Sequence, residues 1–207
     1  MKSAFRTWVW VGSAFVGAVA IAIVVLWVEG SGSDGTTVGL RVTARYSYVL
    51  FWLGYVVGAL AVLFGPAFTP IARRAREFGL AFASAQLVHV GLVVWFAWIS
   101  RPQPLREAAM PFFAVGVVWT YFLAALSTDT ARKVFSPYML KGLRTIGSEY
   151  IALTFFTDFV LVPTYPPRYL ILYIPFWGML LGGPLLRLAA AAKEFYASRP
   201  VSTAEAS

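Results

Sequence analysis

Long runs free of Asp, Glu, Lys and Arg alternate with short charged gaps along the chain: residues 7–28, 46–72, 78–100 and 108–128 contain none of the four. An apolar stretch of about 20 residues crosses a bilayer as a helix, because only a helix satisfies its own backbone where water is absent. Residues 169–186 form a fifth such run, and 150–162 a sixth that is interrupted by Asp158 and two threonines. The pattern predicts an all-α polytopic membrane protein, a bundle of six helices spanning about 7–28, 46–68, 78–99, 109–127, 146–163 and 169–188. Residues 1–207 read as one domain, since the loops are short and the polar tail 198–207 offers nothing to build a second core. The Pro-rich stretch 162–167 predicts a stiff turn before the last span. The start of the fifth helix is left open. A start soon after Pro137 brings Glu149, rather than Asp158, level with His89.

Composition narrows the chemistry. Of 207 residues, 59% are hydrophobic and only 13% charged, about half the charged share of an average globular chain. With no Cys, the chain has no disulfide, no thiolate metal site and no Cys nucleophile; with one His, it has no multi-histidine metal site. The formal charge of +8 sits in the gaps between spans and reads as topology, not as a nucleic-acid surface. Six spans put both termini on one side, which carries twelve of the 17 Lys and Arg residues against five on the other. Both termini are therefore expected in the cytoplasm, and the chain in a bacterial inner membrane. The first run follows Lys2 and Arg6, but its 22 residues exceed a signal-peptide core, so it reads as a retained anchor. The dense cluster Arg73, Arg74 and Arg76 reads first as a positive-inside anchor, and second as a dock for anionic lipid or an acidic redox partner.

Ionisable groups inside spans are costly and mark sites. Gln86 and His89 lie three apart on the third span, Thr154 and Asp158 four apart on the fifth, so each pair shares a helix face. A level His89 and Asp158 would handle protons; an isolated imidazole is equally a heme ligand or a packed core residue. The few polar residues in the spans argue against a small proton-coupled transporter. No nucleotide-binding motif is present, so the chain would not oxidise NAD(P)H unaided.

Several segments are familiar: 43–47 entering the second span, 73–83 running on to Gln86 and His89, then 127–131 and 143–151. Together, over roughly residues 41–156, they resemble the ferric reductase-like transmembrane family. It includes the heme-binding membrane subunit of the periplasmic methionine sulfoxide reductase system and, more remotely, iron reductases and NADPH oxidases. The resemblance implies a six-helix bundle holding heme b between histidines of the third and fifth spans and passing electrons across the membrane. His89 matches the third-span axial ligand. Where the pattern has two fifth-span histidines, this chain has Arg144 and Glu149, neither of which replaces an imidazole on a cytochrome iron. If heme is bound, His89 acts alone, with Met179 as a thioether ligand, or with the same residue of a second copy. Otherwise Gln86, Arg144, Glu149 and Asp158 form an intramembrane polar network in the vacated site. The chain is then a heme-free scaffold or assembly subunit whose partners are lipid and another membrane subunit.

Overall fold

A computed structural model describes residues 2–100, 104–161 and 173–198. Every regular element among them is helical. Helix α1 spans Lys2–Glu29 and α2 Ser33–Phe64, followed by a 3₁₀ turn Gly65–Phe68 and the single-turn α3, Thr69–Ala72. Helix α4 spans Ala75–Ile99, α5 Pro104–Ala125, the short α6 Asp129–Val134, α7 Pro137–Phe156 and α8 Ile174–Ala197, with a π-helical turn Thr157–Leu161 after α7. Four stretches are long and apolar enough to cross a membrane: Phe5–Glu29, Ser33–Ala72, Ala75–Ile99 and Ile174–Ala197. Ala109–Ala125 is apolar but shorter, and α7 carries Lys141, Arg144 and Glu149.

The outer surface is that of a membrane protein. Trp27 is 85% and Trp98 86% exposed, and Val16, Ile23, Leu181, Leu185 and Leu188 also face outward. So much contiguous apolar surface is stable only against hydrocarbon.

Two helices start earlier than the sequence pattern suggested. The connection between the first two expected spans, residues 29–45, shrinks to 30–32, with Gly30 at φ +86°, and α2 begins 13 residues before position 46. Its polar first turns are compatible with burial because their hydroxyls bond back to the helix: Thr37 Oγ1 donates to the Ser33 carbonyl at 2.8 Å and Thr43 Oγ1 to the Gly39 carbonyl at 2.8 Å. Helix α7 begins at Pro137 rather than near 146, with Ser136 Oγ accepting from the Met139 N–H and proline at the first helical position. Glu149 therefore lies twelve residues inside α7, and Asp158 falls in the π turn. The predicted Pro-rich turn and most of the tail lie outside the described residues.

Helix α2 is the central post. An aromatic and aliphatic core runs along it, formed by Tyr48, Phe51 and Tyr55 with Phe82 of α4, Ile151 and Phe155 of α7, and Leu180 of α8. The rings interlock, Phe51 stacking on Tyr55 at 5.3 Å between centroids and Tyr48 lying edge-on to Phe159 at 5.2 Å. Glycines set how near the neighbours come. A Cβ on Gly54 would lie 3.4 Å from the Gly79 nitrogen of α4, and one on Gly183 3.1 Å from Trp52 Nε1. Such close approach replaces the hydrophobic drive that lipid removes with van der Waals contact.

One end of the bundle gathers the polar ties. Arg6 pairs with the buried Glu77 at 3.3 Å, joining α1 to the start of α4. Lys193 Nζ donates to the Val62 and Leu63 carbonyls at 2.8 and 3.2 Å, capping the negative end of α2. Arg144 Nη2 donates to the Leu126 carbonyl at 3.0 Å, just past the end of α5. The start of α1, the 65–77 connection, the 126–136 connection and the C-terminal half of α8 therefore share this end.

Candidate functional site

His89 faces α2. Its Nδ1 lies 3.0 Å from Thr43 Oγ1, which is 1% exposed. Thr43 Oγ1 also lies 2.8 Å from the Gly39 carbonyl of its own helix, to which it donates. The Leu40 carbonyl lies beside the same ring. The imidazole thus fastens α4 to the first half of α2. Gln86, one turn earlier, has a buried Oε1 with no hydrogen-bond partner among the described residues.

Met179 sits on the other side of the same post. Its carbonyl accepts from Trp52 Nε1 at 2.8 Å, and its side chain borders a cavity between α2, α7 and α8. Thr43 and Trp52 are nine residues apart, two and a half turns, and so occupy opposite faces of α2. With α2 between them, His89 and Met179 are not arranged as two ligands of one iron.

Of the two fifth-span positions, Glu149 is held in an ion pair. Tyr55 Oη donates to Glu149 Oε2 at 2.7 Å, and Arg187 Nη2 lies 3.0 Å from Glu149 Oε1. The guanidinium also donates to the Tyr55 carbonyl at 3.3 Å and stacks over the Tyr55 ring at 4.4 Å. One residue from each of α2, α7 and α8 closes this clasp. Both oxygens of Glu149 are engaged, and Arg144 is turned toward the end of α5. The residues present do not fit a heme held between α4 and α7: one candidate ligand is bonded to α2, and the other two positions are committed to helix-to-helix contacts. Asp158 lies beyond this site in the π turn, and Thr154 Oγ1 donates to the Ile151 carbonyl of its own helix at 2.7 Å.

Two cavities meet at the clasp. The first, about 250 Å³, is lined mainly by apolar groups such as Trp52, Phe156, Met179 and Leu180, with Glu149 at its edge. The second, about 430 Å³, opens at the polar end of the bundle and contains Arg76, Lys141, Arg144 and Arg187 with the hydroxyls of Thr145 and Ser148. Phe51 and Tyr55 border both. Sequence reasoning read Arg76 first as a positive-inside anchor and second as part of a dock for anionic lipid or an acidic redox partner, counted Lys141 and Arg187 only toward topology, and passed over Thr43 and Tyr55. An aromatic hydroxyl within a span and an arginine just past the last apolar run were the available signals.

No family model matches the chain, and neither does any curated protein or solved structure.

Proposed function

We propose that this chain is a heme-free, six-span scaffold of a bacterial inner membrane, with both termini cytoplasmic, related in architecture to the ferric reductase-like electron-transfer subunits. The observation that carries the reading is the Tyr55–Glu149–Arg187 clasp, which engages a position the resemblance gives to an axial histidine. A half-exposed ion pair that ties three helices is a structural element rather than a ligand set: its carboxylate takes one bond from Tyr55 Oη and one from the Arg187 guanidinium. Six helices of 20 residues or more, and the basic end that unites α1, α4, α7 and α8, support the six-span arrangement and the cytoplasmic assignment of that end. In this reading the bundle works through what it holds or docks, its lipid and a partner membrane subunit, rather than through redox chemistry of its own.

The test is an absorption spectrum, oxidised and dithionite-reduced, with a pyridine hemochrome assay on protein purified in mild detergent from heme-replete cells. A folded, colourless protein is expected. A stoichiometric b-type spectrum that vanishes in His89→Ala would instead make it an electron-transfer subunit.

A further inference from the structure

The basic chamber has no place in the clasp's structural role. Four cations, Arg76, Lys141, Arg144 and Arg187, line it without a carboxylate among its lining residues. Arg187 is paired with Glu149, and Arg144 donates to the Leu126 carbonyl. Arg76 and Lys141 have no ion-pair partner among the described residues. The cations are graded in depth. Arg76 lies at the start of α4, Lys141 one turn into α7 and Arg144 about 10 Å along that helix. Arg187 reaches α2 at Tyr55, about 13 Å inward from its end at Phe64. A cationic recess of this depth in low-dielectric walls focuses potential on an anion. The Thr145 and Ser148 hydroxyls add neutral hydrogen-bonding groups beside the guanidinium groups.

The second observation is what adjoins it. Beyond the clasp lies the apolar cavity between α2, α7 and α8, and the outward-facing Leu153 on its wall is half exposed toward the lipid side. A ligand filling both spaces is anionic at one end and hydrocarbon at the other.

We propose that the chamber and the adjoining cavity form a binding site for a lipid bearing a phosphate headgroup. The phosphate lies at Lys141 and Arg76, and an acyl or isoprenoid chain runs past Tyr55 into the apolar cavity and out between α7 and α8. This inference rests on the heme-free reading, because it assigns the space between the spans to lipid.

The full chain in mild detergent, titrated with short-chain phosphatidate, short-chain phosphatidylcholine or inorganic phosphate, is read by native mass spectrometry. One phosphatidate should bind per chain, at least about tenfold more tightly than phosphatidylcholine, from the strength of a charge-assisted phosphate contact. Arg76→Gln and Lys141→Gln should each weaken it about fivefold, and Arg73→Gln/Arg74→Gln, outside the chamber, should not. Arg76 is exposed and in no ion pair among the described residues, so its variant keeps the test independent of folding. Ala152→Trp, on the apolar wall, should weaken phosphatidate and leave inorganic phosphate unaffected. Equal affinity for the two lipids, equal loss in the Arg73/Arg74 variant, or inorganic phosphate binding as tightly as phosphatidate would overturn the proposal. The absorption spectrum of the same sample separates the two readings: a heme band sinks both, whereas a colourless protein without phosphatidate preference sinks this one alone.

Discussion

Glu149→Gln removes the charge from the clasp while keeping its shape. The amide oxygen still accepts from Tyr55 Oη, so the loss is confined to the attraction for Arg187, now 3.0 Å away. A fully buried pair broken on one side costs about 3–5 kcal/mol, and an exposed pair about 0–1. With side chains 29% and 48% exposed, this pair lies between those limits, at about 1–2 kcal/mol. For a chain of this size that is a fall in unfolding midpoint of about 3–6 °C. The assay is thermal unfolding in a fixed detergent, followed by helical circular dichroism, on the wild type, Glu149→Gln, Arg187→Gln and the double variant. The two single variants should be less stable than the wild type, and the double variant no worse than the poorer single one, a coupling of about 1–2 kcal/mol. Coupling below about 0.3 kcal/mol, or a stabilised Glu149→Gln, would refute the clasp as a structural tie.

Further outcomes follow from individual contacts. Tyr55→Phe removes a hydrogen bond to a charged acceptor and should cost about 1.5 kcal/mol by the same unfolding assay. Thr43→Val leaves His89 Nδ1 without its hydroxyl partner and should lower stability by about 1 kcal/mol without altering any visible absorption, since the bond is structural. Gly183→Val inserts methyl groups where a Cβ already lies 3.1 Å from Trp52 and Tyr55 atoms; it should cost about 1–3 kcal/mol and change the tryptophan fluorescence. Arg6→Gln strands the Glu77 carboxylate, which is 7% exposed, and should loosen α1, read as faster proteolysis near the N-terminus.

Helical class and the positions of the most apolar helices were legible because charge-free runs of span length admit no other structure in lipid. One helix start was not legible, and a second, soon after Pro137, was only one of two readings. Position 33 looked like a loop because Gly, Ser, Thr and Asp dominate 30–37, yet Thr36 is fully buried and the Thr37 hydroxyl returns to its own helix. Residues 137–145 looked polar, but Pro137 behind a serine cap is a helix start whatever follows. The candidate site was half legible. His89, Glu149 and Arg144 stood out as ionisable groups near or within spans, and each has a specific partner, but the partners were invisible. Thr43 and Tyr55 are brought near by the packing of α2 against α4 and α7, and the Leu126 carbonyl by that of α5 against α7, a geometry helped by glycines such as Gly54 whose spacing carries no chemical signature. The basic chamber was hidden for the same reason: its cations come from three separate segments, and a count of charges per loop does not show that they converge.

The most direct test of the central claim is the heme-to-protein ratio of the full chain, purified in mild detergent from heme-replete cells and measured by pyridine hemochrome alongside circular dichroism. A helical, stable protein with far less than one heme per chain is the predicted result. A helical protein with one heme per chain, lost on His89→Ala, would contradict the account and return the interior to electron transfer.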